Sequence, residues 1–187
     1  MNTVFIKNYS EPNFAHNEIL RYAACKPTEE INALLYDCLN ELCGKLSYRV
    51  CYIELPLGFH FLNVNSELLD GYLADCEKYV LFAATVGIEI DRLIAKYTKI
   101  SPAKAHMFQA IGAERTEALC DMFCNDIKAQ YLHTKPRISP GYGDMPLEMQ
   151  REVFEILDCS RKIGVSLGDS LLMSPSKSVT AFIGVLK

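Results

Sequence analysis

The sequence has no run of about 18 uninterrupted apolar residues, so no membrane-crossing helix is expected. It also lacks a basic excess. Nineteen Lys and Arg against 23 Asp and Glu leave a formal net charge of -4 and a pI near 5.6. That balance argues against nucleic acid as a partner, because phosphate binding needs a basic stripe. The one modest basic cluster, Lys96, Lys99 and Lys104, reads as a solvated surface. None of the eight cysteines belongs to a Cys-x-x-Cys pair. They fall mostly inside apolar periodic segments and read as reduced, half-buried small hydrophobes. Cys120 and Cys124 stand one helical turn apart, but two ligands do not make a zinc site, and no structural metal is expected. Met1 to Asn8 is too short and too polar for a signal peptide, which points to the cytoplasm. His16, His60, His106 and His133 are scattered and read as surface or capping residues. There is no Gly-x-Ser-x-Gly elbow and no dinucleotide or phosphate fingerprint, so the common nucleophile and nucleotide motifs are absent.

What is present is apolar material in quantity. Half of the 187 residues are hydrophobic, enough for one domain with a real core, or one domain with a small N-terminal lobe. A helix is predicted from Thr28 to Cys43, capped by Thr28 and ended by Gly44, with an apolar stripe of Ile31, Leu34, Leu35, Cys38, Leu39 and Leu42. A shorter helix, Asn17 to Ala24, precedes it. Strand-like runs follow at Tyr48–Leu57 and Phe59–Val64. Ser66 caps a short helix through Tyr72, Lys78–Val86 is a continuous apolar strand, and Ile88–Lys99 is helical. Ser101 and Pro102 open a long helix reaching Leu132. After a loop from His133 to Gly143, Asp144 and Pro146 start a helix that ends before Gly164. Strands around Val165–Met173 and Ser178–Leu186 close the chain. Helices and strands alternate irregularly, which predicts an α+β fold with packed helices on a mostly antiparallel sheet.

The most informative segment is Arg137-Ile138-Ser139-Pro140-Gly141-Tyr142-Gly143-Asp144. Pro140, Gly141 and Gly143 within eight residues fix an unusual backbone path. Arg137 offers a planar fork suited to a carboxylate. Tyr142 offers a ring to lie against a base and a hydroxyl to donate. A ligand carrying both a carboxylate and a base fits this set. An ordinary proline-containing connection, with Arg137 capping the preceding helix, would show the same composition.

Arg137 to Tyr142 resembles the Arg-x-x-x-Gly-Tyr signature of the activation domain of cobalamin-dependent methionine synthase. The similarity continues through Lys162-Ile163-Gly164-Val165-Ser166-Leu167, through Met173-Ser174-Pro175 and through Ser178-Val179. Upstream it takes in the strand Lys78–Gly87 and the helix carrying Thr116-Glu117-Ala118. The resemblance covers residues 76–187, which it implies are an S-adenosylmethionine-binding core. Residues 1–75 are read as a poorly matched N-terminal helical and strand portion of the same domain. By the same resemblance Arg137, Tyr142 and the backbone near Ser139 bind S-adenosylmethionine, and Glu117 supplies an acidic contact. It further implies a free-standing module of methionine biosynthesis that supports reductive remethylation of cobalamin. The cobalamin would be carried by a corrinoid protein or a methionine synthase subunit, and an electron donor such as flavodoxin would act with it. Tyr131 to Pro136 offers no carboxylate where the family has one. That departure keeps open a binding or regulatory module of the same fold without the methyl-transfer role.

Overall fold

The computed structural model describes residues 3–58 and 65–187. A four-stranded sheet is built from β1 (Phe5–Tyr9), β2 (Tyr48–Pro56), β3 (Cys76–Thr85) and β6 (Ser178–Leu186). The spatial order is β1-β2-β3-β6, and every pair is antiparallel. The helices are α1 (His16–Tyr22), α2 (Glu29–Leu42), α3 (Glu67–Leu73), α4 (Glu89–Ile100), α5 (Pro102–Tyr131), α6 (Met149–Leu157) and α7 (Cys159–Ile163). A second, two-stranded sheet pairs β4 (Ser166–Leu167) with β5 (Met173–Ser174). The predicted α+β fold with an antiparallel sheet is therefore what forms.

The unbroken apolar run of β3 has a simple cause: both faces of the sheet are covered. Val80, Phe82 and Ala84 pack with α1, α2, α4 and α5. Tyr79, Leu81 and Ala83 pack with α3, α6 and α7. The period of two along a strand assigns neighbours to opposite cores. The side chains of Thr28 and Ser66 accept from the backbone amides of Ile31 and Leu69, as the sequence predicts for helix starts. Pro102 occupies the first turn of the 30-residue α5, where its missing N–H costs nothing.

Three expectations are corrected and one element was not foreseen. An unforeseen edge strand, β1, pairs with β2 and presents four of its five residues to solvent, so it carries little hydrophobic pattern to read. Asp144 does not start a helix. Its carboxylate instead accepts from Ser66 Oγ at 2.7 Å and from the backbone amides of Glu67 and Leu68. It thus neutralises the open amides at the start of α3, and α6 begins only at Met149. The helix expected to run on to Gly164 breaks at Asp158, whose φ of 49° lies in the left-handed region. The strand expected at Val165–Met173 reduces to a two-residue arm on each side of a Gly168–Leu172 turn. The strand predicted at Phe59–Val64 falls outside the described residues.

Arg115 is a buried charge at the centre of the helical layer, with no exposure. Its guanidinium pairs with Glu114 at 2.5 Å and donates to the carbonyls of Pro12 and Asn13, while the Phe14 ring lies 4.0 Å from it. Glu114 in turn accepts from the Ala15 amide. A buried ion pair is tolerated only when its remaining donors and acceptors are satisfied. Here the chain between β1 and α1 supplies those partners and is tied to α5.

Candidate functional site

The chain leaves α5 through Leu132, at φ 61°, and turns back along the open edge of β6. Lys135 N donates to Gly184 O at 2.8 Å, and Ile138 exchanges two backbone bonds with Phe182. The loop is thus stitched to the sheet like a fragmentary fifth strand. Tyr72, from α3, donates its hydroxyl to Pro136 O at 2.7 Å and accepts from Gly184 N at 2.9 Å. Arg137 sits between these two anchors.

Beyond Ile138 a tight turn follows, closed by Tyr142 N donating to Ser139 O at 3.1 Å. Pro140 and Gly141 occupy its centre, and Gly141 has φ 92°. That value suits the third position of a type II turn, which glycine adopts without steric cost. Gly141 N donates to Met145 O and Met145 N to Tyr142 O, so the turn is braced on its far side as well. The Asp144 cap on α3 completes the fixation.

These anchors bring the loop over α5. Arg137 Nη2 meets Glu117 Oε2 at 2.5 Å and Asp121 Oδ1 at 3.6 Å. Among the described residues no other group accepts from Arg137, so its remaining donors are open. Burial opposes the Arg137 charge, but the surrounding acidic groups outweigh it and push its pKa up. A cavity of about 530 Å³ opens between loop and helix. Glu117, Arg137, Ser139 and Tyr142, the four residues singled out by sequence, all line it. Pro136, Asp121, Cys124 and Val179 complete the lining. Tyr142 keeps 59% of its surface exposed, so its ring is available as a face.

Sequence reasoning missed Asp121 and Cys124. Helical spacing was the available signal, since they follow Glu117 by four and seven positions and share its face. Burial pushes the Cys124 thiol up to about 11, so it is a neutral wall group at pH 7. Arg115, close to Glu117 in sequence, points into the core and has no part in the cavity. Among the described residues no cluster of three or more His, Cys, Asp or Glu could hold a metal ion. None of the described helices is long and apolar enough to cross a membrane.

Comparison with known families adds a decisive observation: the sequence model described as "Vitamin B12 dependent methionine synthase, activation domain" matches residues 69–185. The chain belongs to this family. The activation-domain match begins within α3 and ends in β6, so all eight cavity-lining residues fall inside it. A solved structure, "Crystal Structure of the MetH Reactivation Domain bound to AdoHcy", is similar in fold with a TM-score of 0.70. The similarity covers 98% of this chain and 78% of that one at 16% identity. No curated protein matches the sequence. The activation-domain fold extends beyond the family match, because β1 and β2, both before residue 69, belong to the same sheet as β3 and β6.

Proposed function

We propose that this chain binds S-adenosylmethionine in the Arg137 cavity and presents it to a cobalamin carried by a partner protein. The observation that carries the reading is convergence. Four residues spread from 117 to 142 in the sequence line one cavity, with an arginine fork that still has open donors. The ligand's carboxylate is placed on Arg137, its adenosyl part against Tyr142 and the backbone near Ser139, and its cationic end toward the acidic face of α5. The cavity volume of about 530 Å³ lies within the roughly 300–1,000 Å³ of small-molecule sites. The structural relative bound to AdoHcy supports an adenosyl ligand for this fold.

In this reading cobalamin supplies the methyl-accepting centre, reduced by an external electron donor such as flavodoxin. The chain itself holds the donor methyl group in position, and positioning alone lowers the barrier of a bimolecular transfer. No acid or base is required of it. The partner is a corrinoid protein or a methionine synthase subunit in the cytoplasm.

Titration calorimetry with S-adenosylmethionine tests the proposal. Arg137→Ala removes a charge-assisted pair and is expected to cost about 1.5–3 kcal/mol, or roughly ten- to a hundredfold in affinity. Absence of binding by the wild type at millimolar ligand, with and without a corrinoid protein, overturns the reading. Binding without methyl transfer to reduced cobalamin, followed by its absorption spectrum, would leave a binding module rather than a reactivation module.

A further inference from the structure

We propose that a second cavity, at the end of the β1–β2 ladder, binds a small zwitterionic amino acid between Arg49 and Glu11. The inference is independent of the ligand assigned to the Arg137 cavity, and the two cavities share no lining residue. Tyr9 and Tyr48 form the last pair of the ladder. Around this pair, with Glu11 beyond β1 and Ser47 before β2, opens a cavity of about 300 Å³. Asn8 and Arg49 also line it. The volume stands at the lower end of the roughly 300–1,000 Å³ of small-molecule sites, which suits a ligand of amino-acid size.

Arg49 is a cation without a counter-ion. Its Nε is buried with no hydrogen-bond partner, and among the described residues its guanidinium joins no ion pair. The ladder gives the reason. Arg49 stands between Asn8 on β1 and Thr85 on β3, and neither is charged. The Thr85 hydroxyl oxygen already accepts from the Gly87 amide at 3.1 Å and from Ser178 Oγ at 2.8 Å. The end of α7 brings no side-chain acceptor either. Gly164 stands there, where a Cβ would lie 3.6 Å from Arg49 Nη2. Buried polar groups in proteins nearly always have partners, and a guanidinium is matched best by the two oxygens of one carboxylate.

Glu11 is the one carboxylate in the lining. One of its oxygens accepts from Tyr48 Oη at 3.0 Å, and the other has no partner among the described residues. Burial pushes the pKa of the Tyr48 hydroxyl up, so it stays a donor at neutral pH. Glu11 and Arg49 are not paired with each other, so the cavity keeps one negative and one positive group apart. An α-amino acid carries both opposite charges on a single carbon. Its carboxylate takes Arg49 and its ammonium takes Glu11. A simple anion would match Arg49 but be repelled by Glu11, and a simple amine the reverse. The rest of the lining is uncharged, so a side chain with a third charge finds no match, whereas Tyr9 and Leu46 offer an uncharged one apolar surface.

Calorimetric titration of the full chain with the free L-amino acids, one at a time at up to millimolar concentration, tests the assignment. Acetate and methylamine serve as probes that carry one charge each. At least one amino acid with an uncharged side chain is expected to bind, about tenfold or more tightly than either probe. Arg49→Gln and Glu11→Gln each remove one charge and are expected to weaken that binding about ten- to a hundredfold. Glu11 is exposed, so its variant keeps the test decisive if Arg49→Gln fails to fold. Absence of binding by every amino acid overturns the proposal. So does acetate binding as tightly as the amino acid, or an affinity that either folded variant leaves unchanged. Each of these outcomes leaves the S-adenosylmethionine reading standing, because that reading is decided by its own titration.

Discussion

The Arg137 guanidinium and the Glu117 carboxylate, 20 positions apart, close to 2.5 Å across the gap between the loop and α5. This pair ties the loop to α5. It points one edge of the fork at the helix, and in the proposed reading the rest takes the ligand's carboxylate. The geometry of that fork gives the first prediction. Arg137→Lys keeps the charge but replaces a planar set of donors with a point charge. S-adenosylmethionine affinity is expected to fall nearly as far as in Arg137→Ala, by about ten- to a hundredfold. Calorimetry showing wild-type affinity for the lysine variant would mean that charge alone is being read.

Tyr142 is mostly exposed, and its assigned work is that of a flat surface. Stacking of a base on an aromatic ring is worth about 1–3 kcal/mol. Tyr142→Ala is therefore expected to weaken binding about five- to a hundredfold, whereas Tyr142→Phe should change it little. Equal losses in the two variants would transfer the contact from the ring to the hydroxyl.

Tyr72 lies outside the cavity yet fastens its wall, through Pro136 O on one side and Gly184 N on the other. Tyr72→Phe leaves a buried strand amide without its partner and frees the carbonyl next to Arg137. Each orphaned group costs about 1–3 kcal/mol when water cannot replace the partner. The thermal midpoint should fall, and ligand affinity should fall with it. A variant as stable as the wild type, with unchanged affinity, would show the loop to be held by its sheet bonds alone.

Asp126 anchors the edge strand β1 by accepting from Lys7 Nζ at 2.6 Å and from Tyr9 Oη at 2.5 Å. Burial works against its charge, but the bonds from Lys7 and Tyr9 dominate and hold its carboxyl below the usual 3.8. A group whose pKa is lowered by folding adds stability above its unfolded value and loses it as pH falls through the folded one. The midpoint difference between wild type and Asp126→Asn should thus be constant near neutrality, begin to shrink near pH 3.8 and vanish only below the lowered folded-state value. Both side chains are partly solvated, so a gap on the order of 1–3 °C is expected. A gap that persists in strong acid would assign it to packing instead of charge.

Much of the fold was legible because its causes are local. The stripe of α2, the caps at Thr28 and Ser66 and the proline at the start of α5 each act within one or two helical turns. The apolar run of β3 announced a strand, and the fold added that both of its faces are covered. Asp144 was misread for the opposite reason. Its position before Pro146 looks like a helix start, but its partners Ser66, Glu67 and Leu68 are 76–78 residues away. β1 was invisible because an exposed edge strand owes its existence to hydrogen bonds with β2, not to its own pattern.

The cavity divides in the same way. By itself the sequence determined the loop chemistry: an arginine fork, a ring, and a turn that only glycine enters without strain. It also set Glu117, Asp121 and Cys124 on one face of a helix, because a 3.6-residue period needs no tertiary partner. Tertiary structure alone decided that this face meets that loop. The decision lies in the pairing of Lys135 and Ile138 with β6 and in the Tyr72 bridge. These contacts join parts of the chain that no local period connects. Which carboxylate Arg137 takes is settled there as well, since a hydrogen bond at 2.5 Å and a contact at 3.6 Å differ only by where the folded loop comes to rest.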